Sequence, residues 1–122
     1  MIIETAIVSR RPRNDPRSLL VSRFFQVLAD PTRVRLVELL LEGEKNVSEL
    51  VDALDAPQGR VSAHLTCLRW CGFLESRREG KYVYYRIVDP RVSELMHLAH
   101  LLLGDHDEAI ACCGCLTPTA GE

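Results

Sequence analysis

The stretch PQGRVSAHLTCLRWCG, from Pro57 to Gly72, constrains the fold more than any other part of this 122-residue chain. Apolar or small residues recur at Val61, Leu65, Leu68 and Gly72, at steps of four, three and four. That spacing is typical of one face of an α-helix that packs against a core. The sequence therefore predicts a helix of about four turns, and the rest of the chain has to cover its apolar face.

The first half of this predicted helix is polar. Gln58, Arg60, Ser62 and His64 lie off the apolar stripe or at its edge. Side chains of these types form hydrogen bonds with base edges or phosphates in DNA. We therefore predict that they form a DNA-binding surface, with His64 making a DNA or capping contact rather than binding a metal ion.

The second half of the same helix has paired thiols. Cys67 and Cys71 are four residues apart and share a helix face with Arg60 and His64. Two cysteines at this spacing can hold one soft metal ion, but they cannot complete even a three-coordinate site. A further sulfur has to come from the remaining cysteines, which all lie near the end of the chain. These are Cys112, Cys113 and Cys115. The alternative is that the helix pair consists of small packing residues.

Start signals indicate four further helices. Asp-Pro pairs, in which a capping acid precedes a proline of the first turn, occur at Asp15, Asp30 and Asp89. Asn46, with Glu49 three residues later, predicts a capping box at the start of a short helix. This short helix and the helix that follows it predict a helix-turn-helix.

After the helix-turn-helix the pattern changes from helical to alternating, in two segments, 73–78 and 81–88, that flank a Glu-Gly turn. This pattern predicts a β-hairpin. A β-hairpin directly after a helix-turn-helix is called a wing. Its tip concentrates Arg77, Arg78 and Lys81, which we predict to contact the DNA backbone or a minor groove. The predicted fold class is therefore mainly α with a small β-hairpin, a winged helix-turn-helix of five helices.

The last predicted helix is apolar over most of its circumference and is expected to end at Gly104. One small domain cannot cover such a helix, so we predict a homodimer through the first and last helices. The chain then divides into an N-terminal arm (1–14), a DNA-binding and dimerisation domain (15–104) and a flexible, cysteine-containing tail (105–122).

Charge is distributed unevenly along the chain. The net charge is −2, yet residues 57–88 contain six Lys or Arg against two acids, and residues 89–122 contain one against six. A local basic patch suits phosphate binding; a solvated charged surface is the alternative.

Because there is no membrane-spanning apolar run and no signal-peptide pattern, we expect a cytoplasmic protein. We do not expect an enzyme, because no nucleophile–base pair, phosphate loop or carboxylate pair stands at a usable spacing.

Four segments resemble the ArsR/SmtB family of bacterial metal-sensing repressors. They are ADPTRVRLVELL at 29–40, VSELVDAL at 47–54, VSAHLTCLRWCGFL at 61–74 and REGKYVYYRI at 78–87. They follow one another in the order and at the distances found in the family. The resemblance implies a dimeric winged helix that binds operator double-stranded DNA and leaves it when a metal ion binds.

Members of this family place the metal ion differently. One type of site uses a cysteine pair on the helix before the DNA-reading (recognition) helix; here that helix is VSELVDAL at 47–54, which contains no cysteine. Another type lies on the last helix and needs a histidine at the position that Arg91 occupies here. Cys67 and Cys71 resemble the cadmium and lead sensors of the CmtR type, which use a further cysteine from the partner's C-terminal tail. The resemblance thus implies Cd²⁺ or Pb²⁺ as effector. The alternatives are Hg²⁺, arsenite held by the tail cysteines, or a thiol redox-sensing repressor.

Overall fold

The structure, a computed structural model, describes residues 15–116 of the chain. The predicted N-terminal arm and the last six residues, 117–122, lie outside the described residues. The described part folds into five helices and three short strands. In chain order these are α1 (Pro16–Val27), α2 (Pro31–Leu41), β1 (Lys45–Asn46), α3 (Val47–Leu54), α4 (Gln58–Trp70), β2 (Glu75–Glu79), β3 (Tyr82–Arg86) and α5 (Pro90–Ala111). The predicted winged helix-turn-helix is confirmed.

The helix starts are where the sequence predicts them, because local side chains bind the free backbone N–H groups of the first turn. The carboxylates of Asp15, Asp30 and Asp89 each accept a backbone hydrogen bond of 2.9–3.1 Å from the following turn. At α3, Asn46 and Glu49 exchange two hydrogen bonds of 2.9 Å in the predicted capping box.

The apolar stripe of α4 forms the centre of the core. Val61, Leu65 and Leu68 are completely buried, as predicted. Side chains from α2, α3, the wing and the start of α5 surround them. These are Leu36, Val37, Leu39, Leu40, Leu50, Phe73, Leu74, Tyr85, Val92 and Met96. Because this face of α4 packs into the core, the opposite face of the helix is the one that can contact a partner.

The wing is an antiparallel sheet with the order β1-β3-β2. Glu79 pairs with Tyr82 across the predicted hairpin turn, in which Gly80 has a φ of 62° that favours glycine. Strand β1, which the sequence analysis did not predict, pairs Lys45 with Tyr85. It attaches the hairpin to the start of α3 and so fixes the wing relative to the helix-turn-helix.

Helix α5 differs from the prediction at its C-terminal end. It does not end at Gly104 but continues to Ala111, with a kink at His106, where φ is −136° and ψ is 18°. Glycine ends a helix when it adopts a left-handed conformation, and Gly104 does not adopt one. The next residues include good helix formers, Glu108 and Ala109 among them. The first part of the predicted flexible tail is therefore helical.

Helices α1 and α5 expose large apolar side chains. Helix α1 has no buried residue in the single chain. The exposed side chains are Leu19, Leu20, Val21, Phe24 and Phe25 on α1, and Leu98, Leu101, Leu102, Leu103 and Ile110 on α5. Within residues 15–116, no helix is both long and apolar enough to cross a membrane.

Candidate metal centre and nucleic-acid interface

The first turn of α4 presents polar side chains to solvent. Gln58 and Arg60 are exposed and Ser62 is half-buried. The side chains of Gln58 and Arg60 form no hydrogen bond or ion pair with residues 15–116, so they are available to a ligand. Their position follows from the apolar stripe, which turns the opposite face of the helix outward.

His64 is not on this outer surface. Its side chain is only 18% exposed and lies between α4 and the start of α2. Nδ1 of His64 is 3.2 Å from Nη1 of Arg33, and Nε2 is 3.8 Å from Oδ1 of Asp30. The structure therefore places His64 in a contact between helices rather than beside the exposed DNA-binding candidates.

The basic side chains at the tip of the wing differ in whether a carboxylate is paired with them. The guanidinium of Arg77 is paired with Glu44 and Glu79, at 2.7 Å from an oxygen of each. These hydrogen bonds raise the pKa of Arg77, and the bond from Arg77 lowers the pKa of Glu44. Arg78 and Lys81 are exposed and have no ion pair within the described part of the chain, so they are the free cations of the tip.

The helix thiols line a cleft between α1 and α4. Cys67 is half-buried, and Cys71, the C-cap residue of α4, is exposed. The cleft has a volume of about 430 Å³. Its other lining residues are Leu20, Arg23, Phe24, Gln26, Val27, Arg33 and Phe73.

The two helix thiols influence each other. Burial raises the pKa of Cys71, and the neighbouring Cys67 raises it further through charge and a hydrogen bond. The positive charge of Arg33 acts in the opposite direction and lowers the pKa. At neutral pH the Cys71 side chain is therefore mainly a thiol, and a metal ion that binds it has to displace the proton.

The tail cysteines form a second thiol group at the end of α5. Cys112 caps the helix, and the Sγ atoms of Cys113 and Cys115 are 2.7 Å apart. The hydrogen bond from Cys115 lowers the pKa of Cys113. This acidic, partly exposed thiol is the more reactive kind of cysteine.

One chain does not bring the two thiol groups together. Among residues 15–116, no group of three or more Cys, His, Asp or Glu side chains is arranged to hold a metal ion. Thiolates are the ligands that soft ions prefer, so Cys67 and Cys71 fit the predicted donor type. Two sulfurs nevertheless leave the predicted three-coordinate site incomplete within a single chain.

The sequence analysis missed two features of this region. Arg33 contacts His64 and lines the thiol cleft, but the capping signal at the start of α2 is local and does not indicate a contact 31 residues away. Trp70, at the C-terminal end of α4, is 80% exposed. Its position is about 200° around the helix from buried Leu68, which places it on the outer face.

Comparison with known proteins agrees with this architecture. Residues 30–76, which span the helix-turn-helix, match the family described as "Bacterial regulatory protein, arsR family". A probable mercury resistance operon repressor from Streptomyces lividans is 46% identical over 92 residues, which cover 75% of this chain and 74% of the relative. The chain belongs to the arsR family. Membership in this family of regulatory proteins also confirms that the chain is not an enzyme.

Solved structures of arsR-family and related proteins have the same fold. The crystal structure of Mycobacterium tuberculosis Rv0081 superimposes with a TM-score of 0.74 at 31% identity, over 81% of this chain and all of the other. A homodimeric winged helix-turn-helix DNA-binding domain from Mycobacterium bovis superimposes with a TM-score of 0.67 at 31% identity, over 79% of this chain and 92% of the other.

Proposed function

We propose that this arsR-family protein is a cytoplasmic, homodimeric repressor that binds operator DNA and is released when a thiophilic metal ion binds Cys67 and Cys71. The observation that carries the proposal is the position of these thiols on α4, the helix that also presents Gln58 and Arg60 to solvent. A ligand at one end of a helix can change how the whole helix is oriented, because an α-helix moves largely as a rigid element.

The DNA surface of the proposal consists of the exposed first turn of α4 and the tip of the wing. Gln58, Arg60 and Ser62 enter the major groove, where amide and guanidinium groups discriminate between bases. Arg78 and Lys81 bind phosphates, which fix the position of the protein without reading sequence. These residues were predicted from the sequence. The exposure of Gln58, Arg60, Arg78 and Lys81, which form no ion pair within residues 15–116, supports that assignment.

The dimer of the proposal forms through α1 and α5. Helix α1 exposes leucine and phenylalanine side chains and α5 exposes leucine side chains, and residues 15–116 of one chain do not cover them. A second copy of the chain buries them in a two-fold interface. The domain from Mycobacterium bovis, which shares the fold and is described as homodimeric, supports a homodimer. Two recognition helices then face two half-sites of a palindromic operator.

Mercury(II) is the effector that we favour. The relative from Streptomyces lividans is described as a probable mercury resistance operon repressor, and mercury(II) forms stable complexes with only two thiolates. Cadmium and lead, the ions implied by the resemblance to CmtR-type sensors, need at least one more sulfur. In the proposal that sulfur comes from Cys112, Cys113 or Cys115 of the partner, because one chain does not bring these residues to the α4 pair.

The experiment follows DNA release and metal binding on the same samples. A fluorescent fragment from the region upstream of the protein's own gene reports DNA binding, and ultraviolet sulfur-to-metal charge-transfer absorption reports thiolate ligation. HgCl₂, CdCl₂ and Pb²⁺ are titrated into reduced protein, its Cys67→Ser and Cys71→Ser variants, and a Cys115→Ser variant that removes one candidate ligand of the tail.

We expect the two α4 variants to bind DNA like the wild type and to stay bound after metal addition. If they still release DNA, the α4 thiols are packing residues and the proposal is wrong. Cys115→Ser distinguishes the ions: loss of the cadmium response with retention of the mercury response indicates a site completed by the tail only for cadmium.

A thiol redox-sensing repressor is the second candidate, favoured by the contact between Cys113 and Cys115. Their Sγ atoms are 2.7 Å apart, and the acidic thiol of Cys113 suits attack on a peroxide. The two thiols would lose two electrons and two protons to hydrogen peroxide, giving a disulfide and two water molecules. DNA release by peroxide without added metal, abolished in Cys113→Ser, supports this candidate.

A further inference from the structure

The guanidinium of Arg33 joins three helices. Arg33 lies in the first turn of α2 and donates hydrogen bonds from Nη2 to the carbonyl of Gln26 (3.2 Å) and from Nε to the carbonyl of Val27 (2.5 Å) at the end of α1. Its Nη1 is 3.2 Å from Nδ1 of His64 on α4. The last carbonyls of a helix lack partners within that helix, so Arg33 caps α1 while it holds α4.

The chemistry of this contact fixes the proton on His64. A guanidinium can only donate, so Nδ1 of His64 accepts and the neutral ring has its proton on Nε2. That N–H is on the side of Asp30, whose Oδ1 is 3.8 Å away. Asp30 also accepts a hydrogen bond from the backbone N–H of Arg33, at 3.1 Å. Asp30, Arg33 and His64 thus form one network between the starts of α2 and α4.

The same guanidinium is next to the thiol pair. Arg33 lines the cleft that contains Cys67 and Cys71. His64, Cys67 and Cys71 follow one another on one face of α4, because they are three and four residues apart. Arg33 therefore contacts the α4 face immediately before the thiols.

We propose that Arg33 is the positioning residue that transmits occupation of the Cys67/Cys71 pair to the dimerising helix α1. This inference rests on the proposed function. An ion held by the two sulfurs occupies the cleft that Arg33 lines, so it displaces the guanidinium from the carbonyls of α1 and from His64. When Arg33 moves away from these partners, the end of α1 loses its cap. Since α1 belongs to the proposed dimer interface, the spacing of the two recognition helices changes and the operator is released.

The decisive variant is Arg33→Gln, with Arg23→Gln as the matched control. Arg23 lines the same cleft, but its side chain has no hydrogen bond or ion pair with the described residues. For each protein, operator affinity is measured with and without HgCl₂, and mercury affinity is measured by charge-transfer absorption. The ratio of the two operator affinities is the coupling factor, which typically lies between about 5 and 150 for allosteric proteins.

We expect Arg33→Gln to bind mercury within a few-fold of the wild type and to have a coupling factor close to one. Arg33→Lys keeps the charge but not the planar fork, so it should recover part of the coupling. Arg23→Gln should behave like the wild type. A full coupling factor in Arg33→Gln overturns the inference.

Two further measurements keep the test decisive. If Arg33→Gln does not fold, His64→Leu replaces it, because that variant removes only the acceptor on α4. Retained coupling in His64→Leu then overturns the inference, and lost coupling with retained mercury binding supports it. A wild type that is not released by mercury contradicts the proposed function instead, so the two failures are distinguishable.

Discussion

The guanidinium of Arg77 forms a two-pronged ion pair with the carboxylate of Glu44, with 2.7 Å between Nη2 and Oε1 and 2.9 Å between Nε and Oε2. Glu44 immediately precedes β1, whereas Arg77 is on β2, so the pair spans the sheet. The guanidinium also lies over the ring of Tyr84, at 4.6 Å from its centroid. Arg77 therefore stabilises the wing, and its charge is already matched by carboxylates.

Arg78 and Arg77 should consequently differ in their effect on DNA binding, although they are adjacent and chemically identical. Arg78→Ala removes a free cation, so operator affinity should fall and the slope of log K against log salt should decrease by about 0.9. Arg77→Ala should leave that slope unchanged. Fluorescence anisotropy of an operator fragment between about 50 and 200 mM salt measures both quantities.

Lys81→Ala is the second test of the wing tip and should resemble Arg78→Ala. Arg35→Ala serves as the control with an equal change of charge, because Arg35 lies on α2 and is paired with Glu38 at 3.6 Å. An equal decrease of the salt slope in Arg77→Ala would contradict the assignment of Arg77 as a structural residue.

Leu65 is the core residue whose truncation tests the folding role of α4. It is completely buried in the middle of the stripe, so Leu65→Ala should lower the free energy of unfolding by about 2–5 kcal/mol. The adjacent, exposed Thr66 gives the control, because Thr66→Ala should change stability by no more than about 0.5 kcal/mol. Urea unfolding at one fixed protomer concentration measures both. Similar values for the two variants would show that the stripe is not the core of the protein.

The raised pKa of Cys71 predicts a pH dependence of metal binding. A bound ion displaces the thiol proton, so the apparent affinity for Cd²⁺ should increase with pH as long as the pH is below the pKa of Cys71. In Cys71→Ser one proton fewer is released, and the slope of log K against pH should decrease by about one. Competition with a chelator between about pH 6 and 8, below the usual thiol pKa, measures the slope. An unchanged slope would show that Cys71 is not a ligand.

The same shift has a consequence for stability, with the opposite dependence on pH. Because the folded protein holds the Cys71 proton more tightly than the unfolded chain, the thiol stabilises the folded state below the unfolded pKa. That stabilisation is lost as the pH rises through the folded pKa. Thermal unfolding of metal-free Cys71→Ser should therefore be less sensitive to alkaline pH than that of the wild type.

Local signals in the sequence predicted most of the fold. Capping pairs such as Asn46 with Glu49 act within one helical turn, so they can be recognised without knowing the tertiary structure. The stripe of Val61, Leu65 and Leu68 likewise predicted the core, because burial follows the helical period. Reading the same period further would also have placed Trp70 on the outer face.

Long-range pairings account for what the sequence analysis missed. The ion pair between Arg77 and Glu44 and the hydrogen bond between Arg33 and His64 join residues more than 30 positions apart. Nothing in the local composition distinguishes Arg77 from Arg78, so both were predicted to bind DNA. The relation of the α4 thiols to the tail is also non-local, and in a dimer it depends on a second chain.

Gly104 and Gly72 should respond oppositely to alanine. Gly104 lies within α5 and a Cβ there meets no atom within 4 Å, so Gly104→Ala should raise the free energy of unfolding by about 0.5–1 kcal/mol through helix propensity. Gly72 also has free space but a φ of 87°, so alanine there is strained and should lower stability by about 1 kcal/mol or more. Urea unfolding at a fixed protomer concentration compares the two. If Gly104→Ala instead lowers the free energy of unfolding, that result would favour the predicted helix end at Gly104. Alanine is unfavourable there only if the glycine adopts the left-handed conformation of a helix end.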